Sequence, residues 1–405
     1  MRIVDRISIA LLYLFVVGSP LSISVGSIVA GLFIVLGTVR LLTSAEARAA
    51  VPPAVWITFG LWIAWSLLTT ALADPYPTRF DKVGEELWIK LLLPTVAALG
   101  TTVPRHLARA LVVYLGVGAL IGIYGIYQHY TGDQWFTDEW IAGIGNRWNA
   151  VGFYGHKLTY GGHVVCLWLL GVAFATNSSP GQAVWRHRVF VVVAGALVSI
   201  GLLLSHARSA QLGGALGAAV IALYLPPTRR RIAVGILLLA ALGAVATPTI
   251  RDRFVRAFDF EAEQTRPNLW QTSLDALDDR PWTGYGFGNF EHVLYEYEVE
   301  GLYESRAHAH NDVLMVAVNS GWPGAALFLA FAAAVAVTAA RSVRRAGPWS
   351  WIVLGGFAAH LALLLGGLFQ VYQTDDEVEL TLYFLLGGAF AAAAAGARRE
   401  RALSR

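Results

Sequence analysis

Apolar positions along this chain come in long continuous runs rather than in alternation with polar ones, and the runs recur from one end to the other. A bilayer core needs about 20 apolar residues per helix. Runs of that order lie near 7–19, 22–42, 54–73, 83–101, 107–127, 158–176, 189–205, 209–225, 232–248, 313–339, 350–371 and 379–396. The pattern predicts an all-α polytopic membrane protein of about twelve transmembrane helices, forming a single transmembrane domain over 1–405. A membrane-spanning β-barrel would show alternation instead. The first run is short, and the basic residues Arg2 and Arg6 around its start imitate a signal peptide. No small-residue cleavage site precedes a soluble domain, so it reads as a retained first span. Glu85, Glu86 and Lys90 interrupt the fourth run.

Composition agrees with the pattern. The chain is 56% hydrophobic and 14% charged, with a mean hydropathy of +0.55, whereas soluble domains carry about 25% charged residues. Its 41 glycines suit helices that approach closely in lipid. The net charge of +3 does not describe a nucleic-acid face. With the N-terminus inside and the spans alternating, Arg40, Arg48, Arg105, Arg109, Arg229–Arg231, Arg341, Arg344, Arg345 and the terminal arginines all fall in short inner connections or tails. That asymmetry sets orientation, with both ends inside. Cys166 is the only cysteine and lies in an apolar run. It can form no intramolecular disulfide and reads as a small buried hydrophobe.

The same orientation puts two polar stretches on the outer, periplasm-like face. The smaller, 128–157, holds Trp135, Trp140, Arg147, Trp148, His156 and Lys157. The larger, 249–312, is net acidic and rich in aromatic residues, among them Phe254, Phe258, Phe260, Trp270, Trp282 and Tyr285. Within it, 267–277 has helical spacing, with Leu269, Trp270, Leu274 and Leu277 on one side. Gly284-Tyr-Gly-Phe-Gly288 reads as a tight aromatic turn. The stretch is expected to form a small, partly helical lid.

Chemistry is concentrated where this lid meets the next apolar run, at Arg306-Ala-His-Ala-His-Asn-Asp312. Polar groups at the edge of lipid are costly unless something uses them. Asn311 or Asp312 can cap a helix beginning at Val313. His310 would then sit near the positive end of the helix dipole, which favours a neutral imidazole able to accept a proton. His308 is the alternative base. Arg208, in Ser205-His-Ala-Arg-Ser209 between two apolar runs, either snorkels to headgroups or faces a partner or cavity. Arg147 and Arg266 are further outward arginines. Guanidinium groups grip phosphate oxygens in pairs and stay charged at any relevant pH, so convergent arginines point to a lipid-linked phosphate or pyrophosphate. A zinc site is weakly supported: His308 and His310 have no evident third ligand, and Asp259-Phe-Glu-Ala-Glu263 resembles a solvated helix face. No metal and no cofactor are expected.

These residues resemble the bacterial O-antigen ligases. His310-Asn311, nine residues, then Gly321-Trp-Pro-Gly324 is similar to the family's His-Asn-x9-Gly-x-x-Gly signature, and Arg208-Ser-Ala-Gln-Leu212 to its Arg-x3-Leu element. Arg266-Pro-Asn-Leu-Trp270, Arg280-Pro-Trp-Thr-Gly284 and Tyr285-Gly-Phe-Gly-Asn-Phe290 resemble the large periplasmic loop of the ligase and polymerase superfamily. The resemblance implies transfer of a glycan from undecaprenyl pyrophosphate to lipid A-core at the periplasmic face of the bacterial inner membrane, without metal. His310 would be the general base, and Arg208 and Arg266 would hold the pyrophosphate leaving group. The family's late acidic residue would fall at Asp375 or Asp376. Placement adds Arg147, Lys157, His308 and Asn311 as substrate contacts. A monomer is expected, with an oligomer as the alternative, and no nucleic-acid partner.

Three competing functions share parts of this pattern. An O-antigen polymerase would use the same donor, but polymerases of the superfamily often carry Arg-x10-Gly, and Arg147, Arg256, Arg266 and Arg280 all lack that glycine. A protein O-oligosaccharyltransferase would carry a further C-terminal periplasmic portion. A transporter of lipid-linked glycans would show mid-membrane charge and two related halves.

Overall fold

The computed structural model describes residues 3–135, 141–144, 147–177, 185–247, 251, 265–301, 303 and 308–404, and these are mostly helical. Arg306, Trp140, Phe254, Phe258, Phe260, Arg256 and the 259–263 acidic stretch lie outside the described residues. In chain order the helices are α1 Ile3–Gly18, α2 Ile23–Thr43, α3 Ala45–Arg48, α4 Pro53–Ala71, α5 Phe80–Leu87, α6 Leu92–Gly100, α7 Pro104–Thr131, α8 Lys157–Asn177, α9 Trp185–Leu204, α10 Arg208–Leu223 and α11 Pro227–Ala246. Then follow α12 Thr265–Asp279, α13 Phe290–Tyr297, α14 Asp312–Ser342, α15 Ser350–Gly366 and α16 Asp376–Leu403. A two-stranded hairpin, β1 Gly143–Ile144 with antiparallel β2 Arg147–Trp148, lies between α7 and α8.

Eleven of the twelve apolar runs each coincide with one helix. Seven, α2, α4, α7, α8, α14, α15 with the turn before it, and α16, are long and apolar enough to cross a membrane. The chain is therefore a multi-pass membrane protein. The others fall short for local reasons: α1 and α10 have 16 residues each, and α11 carries Arg229–Arg231 near its start. The fourth run is broken rather than continuous, with α5, a 3₁₀ turn over Ile89–Leu91, and α6 in succession. The break lies where Lys90 turns inward.

Helices α8, α15 and α16 are buried along most of their length and form the centre of the bundle. Helix α16 packs on α6 and α15, α10 on α15, and α14 on α4. At Gly213 of α10 the carbonyl of Ala362 in α15 occupies the place of a Cβ, so the two backbones meet with no side chain between them.

The segment 265–301 builds a small second core together with the first half of α14, which contributes Met315, Ala317, Val318 and Ala325. In α12 the buried face is Leu269, Thr272, Ser273, Ala276 and Leu277, while Leu274 is exposed. The helix thus buries positions i, i+3, i+4 and i+7, and the predicted face is rotated away from Leu274. The aromatic turn forms as expected. Gly284, Gly286 and Gly288 all have positive φ (61°, 80° and 77°), which places Tyr285 and Phe287 inward and buried. This turn docks on α14 through the amides of Tyr285 and Gly286, which donate to the carbonyls of Val318 (2.8 Å) and Asn319 (3.0 Å). Those carbonyls are available because α14 is kinked at Ser320 and Gly321 (φ 70°).

Candidate active site

The polar edge at the start of α14 is tied down from several sides. Asn311 is extended, and its side-chain oxygen accepts the amides of Val313 (2.9 Å) and Leu314 (3.0 Å). Asn311 is thus the cap, and the helix begins at Asp312. The Asn311 amide donates to the Leu368 carbonyl at 3.1 Å. Asp312 is buried, and its carboxylate accepts the backbone amides of Tyr372 (2.9 Å) and Gln373 (3.0 Å). Its own amide donates to Gly367 at 2.7 Å. Two consecutive side chains therefore stitch the 367–373 connection, between α15 and α16, to the start of α14.

That connection delivers Gln370 to His310. Nδ1 of His310 donates to the Gln370 side-chain oxygen at 2.6 Å, in a buried setting. An amide oxygen can only accept, so Nδ1 carries the proton and Nε2 is the basic nitrogen. His310 also has a left-handed backbone, with φ of 49°. Such a conformation in a non-glycine residue costs about 1 kcal/mol or more and persists where its surroundings fix it. His308 lies beside it, with ring centroids 4.4 Å apart. Burial, with the nearby His310 and His156, pushes the His308 imidazole down to about 4. His308 is neutral at physiological pH.

The other predicted residues reach this hub through their neighbours. Arg208 opens α10, and the next residue, Ser209, bonds the Tyr372 hydroxyl at 2.8 Å. Arg266 lies in the first turn of α12, whose Trp270 faces Phe369 with ring centroids 6.3 Å apart. Lys157 opens α8, where Thr159 donates to Asp375 at 2.7 Å. Asp375 in turn caps α16 by accepting the Val378 amide. Burial pushes its carboxyl up to about 7. Arg147 stands apart on the hairpin, its guanidinium over the Tyr130 ring at 4.5 Å. The adjacent Trp148 carbonyl bonds His129 (2.6 Å), whose ring lies 5.9 Å from His206.

Several participants were not singled out from sequence. Gln370 lies at the end of the eleventh apolar run, and Tyr372 and Gln373 belong to the short polar stretch after it. By alternation of spans that stretch shares a face with His310, which was the available signal. Lys90 and Glu379 form a fully buried ion pair. Lys90 also donates to the Gln373 carbonyl at 3.0 Å, and Tyr383 donates to the Gln373 side chain at 2.7 Å. Glu379 is four residues inside α16, about 6 Å along its axis from Asp375, so this pair supports the 367–373 connection from beneath. Among the described residues, no group of three His, Cys, Asp or Glu side chains is arranged to hold a metal ion.

Residues 192–329 match a family model described as O-antigen ligase. The matched span takes in Arg208, Arg266, His308, His310 and Asn311. Arg147, Lys157 and Asp375 lie outside it. No curated protein matches the chain.

Proposed function

Starting from membership of the O-antigen ligase superfamily, supported over residues 192–329, we propose that the chain transfers a glycan from undecaprenyl pyrophosphate to a sugar hydroxyl of lipid A-core. The reaction takes place at the periplasmic face of the bacterial inner membrane, and the bundle crosses that membrane twelve times. The family itself implies a glycosyltransferase-like enzyme of the ligase and polymerase group. The observation that carries the finer reading is His310, buried at the capped start of α14 with Nδ1 donated to Gln370.

In this mechanism Nε2 of His310 takes the proton of the acceptor hydroxyl as its oxygen forms a bond to the anomeric carbon. The bond from that carbon to the pyrophosphate oxygen breaks, and the pyrophosphate leaves with the electron pair. Arg208 and Arg266 hold the leaving group, where negative charge increases in the transition state. Fixed donors of this kind contribute about 3–4 kcal/mol each. His308 and Asn311 border the acceptor, while Lys157, Asp375 and Arg147 are substrate contacts further out. No metal or cofactor takes part in the scheme.

The test offers the purified protein a lipid-linked glycan donor with three acceptors, namely lipid A-core, a second lipid-linked repeat, and protein. The reaction is run with and without EDTA. Conjugation to the core lipid, unchanged by chelator, is expected. Chain extension on the lipid carrier would replace the ligase reading by a polymerase, glycosylated protein by an oligosaccharyltransferase, and chelator sensitivity would overturn the metal-free scheme.

A further inference from the structure

A second site lies at the other end of the bundle. Between α2, α3, α4 and α6 there is a cavity of about 900 Å³, at the upper end of the range of small-molecule pockets, ~300–1,000 Å³. Its walls include Leu41, Leu42, Trp56, Ile57 and Pro94, and Arg48 is the one charged residue lining it. The Thr95 hydroxyl, also on the wall, is engaged with the Leu91 carbonyl of its own helix at 2.6 Å. Nothing in such a wall holds water in order, and an apolar volume in a membrane-embedded bundle takes hydrocarbon instead.

The polarity is confined to one end. Arg48 donates to the Leu41 and Leu42 carbonyls at 2.7 and 3.1 Å, through one terminal nitrogen of its guanidinium. That anchors the group at the rim. Nearby, Arg398 pairs with Glu46 and donates to the Thr101 carbonyl at 2.7 Å, within electrostatic reach of Arg40 and Arg401. Arg40 itself is tied to the Ala98 carbonyl at 3.3 Å. Arg48 is the charge on the rim itself, and with the nearby Glu46 already paired to Arg398 the field there favours an anion. The Arg48 end of the site is far from the His310 hub, because Arg398, the partner of Glu46, lies 23 residues along α16 from Asp375, about 35 Å at 1.5 Å per residue.

We infer that this cavity binds an anionic phospholipid of the leaflet opposite His310, with acyl chain in the groove and phosphate at Arg48. The ligand chemistry follows from the two halves of the site, hydrocarbon along α2, α4 and α6 and negative charge at α3. It does not depend on the proposed transferase reaction, and its test does not read activity. A donor lipid bound for transfer would carry its pyrophosphate at the other face, so this lipid is a structural or regulatory ligand.

Native mass spectrometry of the full chain, exchanged from detergent into equimolar phosphatidylglycerol and phosphatidylcholine of matched chains, counts what is retained. One phosphatidylglycerol is expected to be held in preference by roughly fivefold, the scale of one arginine against an anionic headgroup. Arg48→Gln should remove that preference with helical content unchanged, and Ala49→Trp, which fills the rim, should reduce retention of both lipids. Inorganic phosphate alone should neither bind nor compete at millimolar concentration. Equal retention of the two lipids, an undiminished preference in Arg48→Gln, or displacement by free phosphate would each overturn the assignment. Should Ala49→Trp not fold, the wild-type and Arg48→Gln comparison decides it.

Discussion

Two histidines with left-handed backbone, His206 (φ 56°) and His310 (φ 49°), introduce α10 and α14, and the two turns are held in different ways. Around His310, Asn311 caps the helix, Asp312 accepts two amides of the 372–373 backbone, and Gln370 accepts from the imidazole. Around His206, the Ser205 hydroxyl donates to Leu202 (2.7 Å) and accepts from the Ala207 amide (3.1 Å), and the cap residue Ala207 has no side chain to offer the helix. Both turns meet the same connection, one through Gln370 and the other through Ser209 and Tyr372. The contrast teaches a division of labour. A proton acceptor must be held in one orientation and one tautomer. Under the proposed roles, the turn before Arg208 has only to place a guanidinium, whereas the turn at His310 must also fix a tautomer.

The sharpest way to break this comparison is at His310. His310→Ala is expected to lower turnover in the conjugation assay by about 10²–10⁴-fold, with helical content preserved. Wild-type turnover in that variant would remove the general-base role and with it the reason for so rigid a turn. Next in size is Arg208→Lys, which keeps the charge but loses the paired grip on phosphate. A fall of about 10²-fold is expected, mostly in turnover rather than in apparent donor affinity. An unchanged rate would mean that Arg208 serves only the headgroup region.

A smaller effect concerns the connection that both turns share. Asp375 has its carboxyl raised to about 7 by burial, so the folded protein binds its proton more tightly than the unfolded chain does. The stability this contributes is fully present below the unfolded carboxylate value, about 3.9, and is lost as pH rises through about 7. Asp375→Asn keeps an oxygen for the Val378 amide, turns its amide nitrogen to the Thr159 hydroxyl, which can accept from it, and removes the titration. Thermal midpoints of the wild type should therefore decline relative to the variant between those values and coincide below them. Parallel curves would show that the carboxyl is not perturbed by its setting.

The architecture was legible because lipid demands long apolar runs, and these read directly from the sequence at Ile23–Thr43, Pro104–Thr131 or Asp376–Leu403. The break at Lys90 was hinted at by its charge, but its partner Glu379 is 289 positions away, and no local pattern names such a pair. His310, Asn311 and Arg208 stood out because polar groups at a lipid edge are unusual. Gln370 did not, because an uncharged side chain in a short connection has no signature until the chain folds it against an imidazole. The buried face of α12 was displaced for a related reason: Leu274 looks apolar in sequence, whereas Thr272 and Ser273 take the inward positions, Ser273 satisfying its hydroxyl on Leu269 at 2.6 Å.

The smallest effects separate the two turns most directly. Glycine at either histidine relieves the left-handed penalty, about 1 kcal/mol or more. At 310 the same change leaves the buried Gln370 oxygen without its donor, at a cost of about 1–3 kcal/mol, so His310→Gly should be destabilised on balance. At 206 the change removes contacts that include the ring of His129, in a half-buried position. His206→Gly should therefore unfold in detergent within about 1 kcal/mol of the wild type, the relieved strain offsetting the lost contact. Equal destabilisation of the two variants would mean that the two turns are fixed alike.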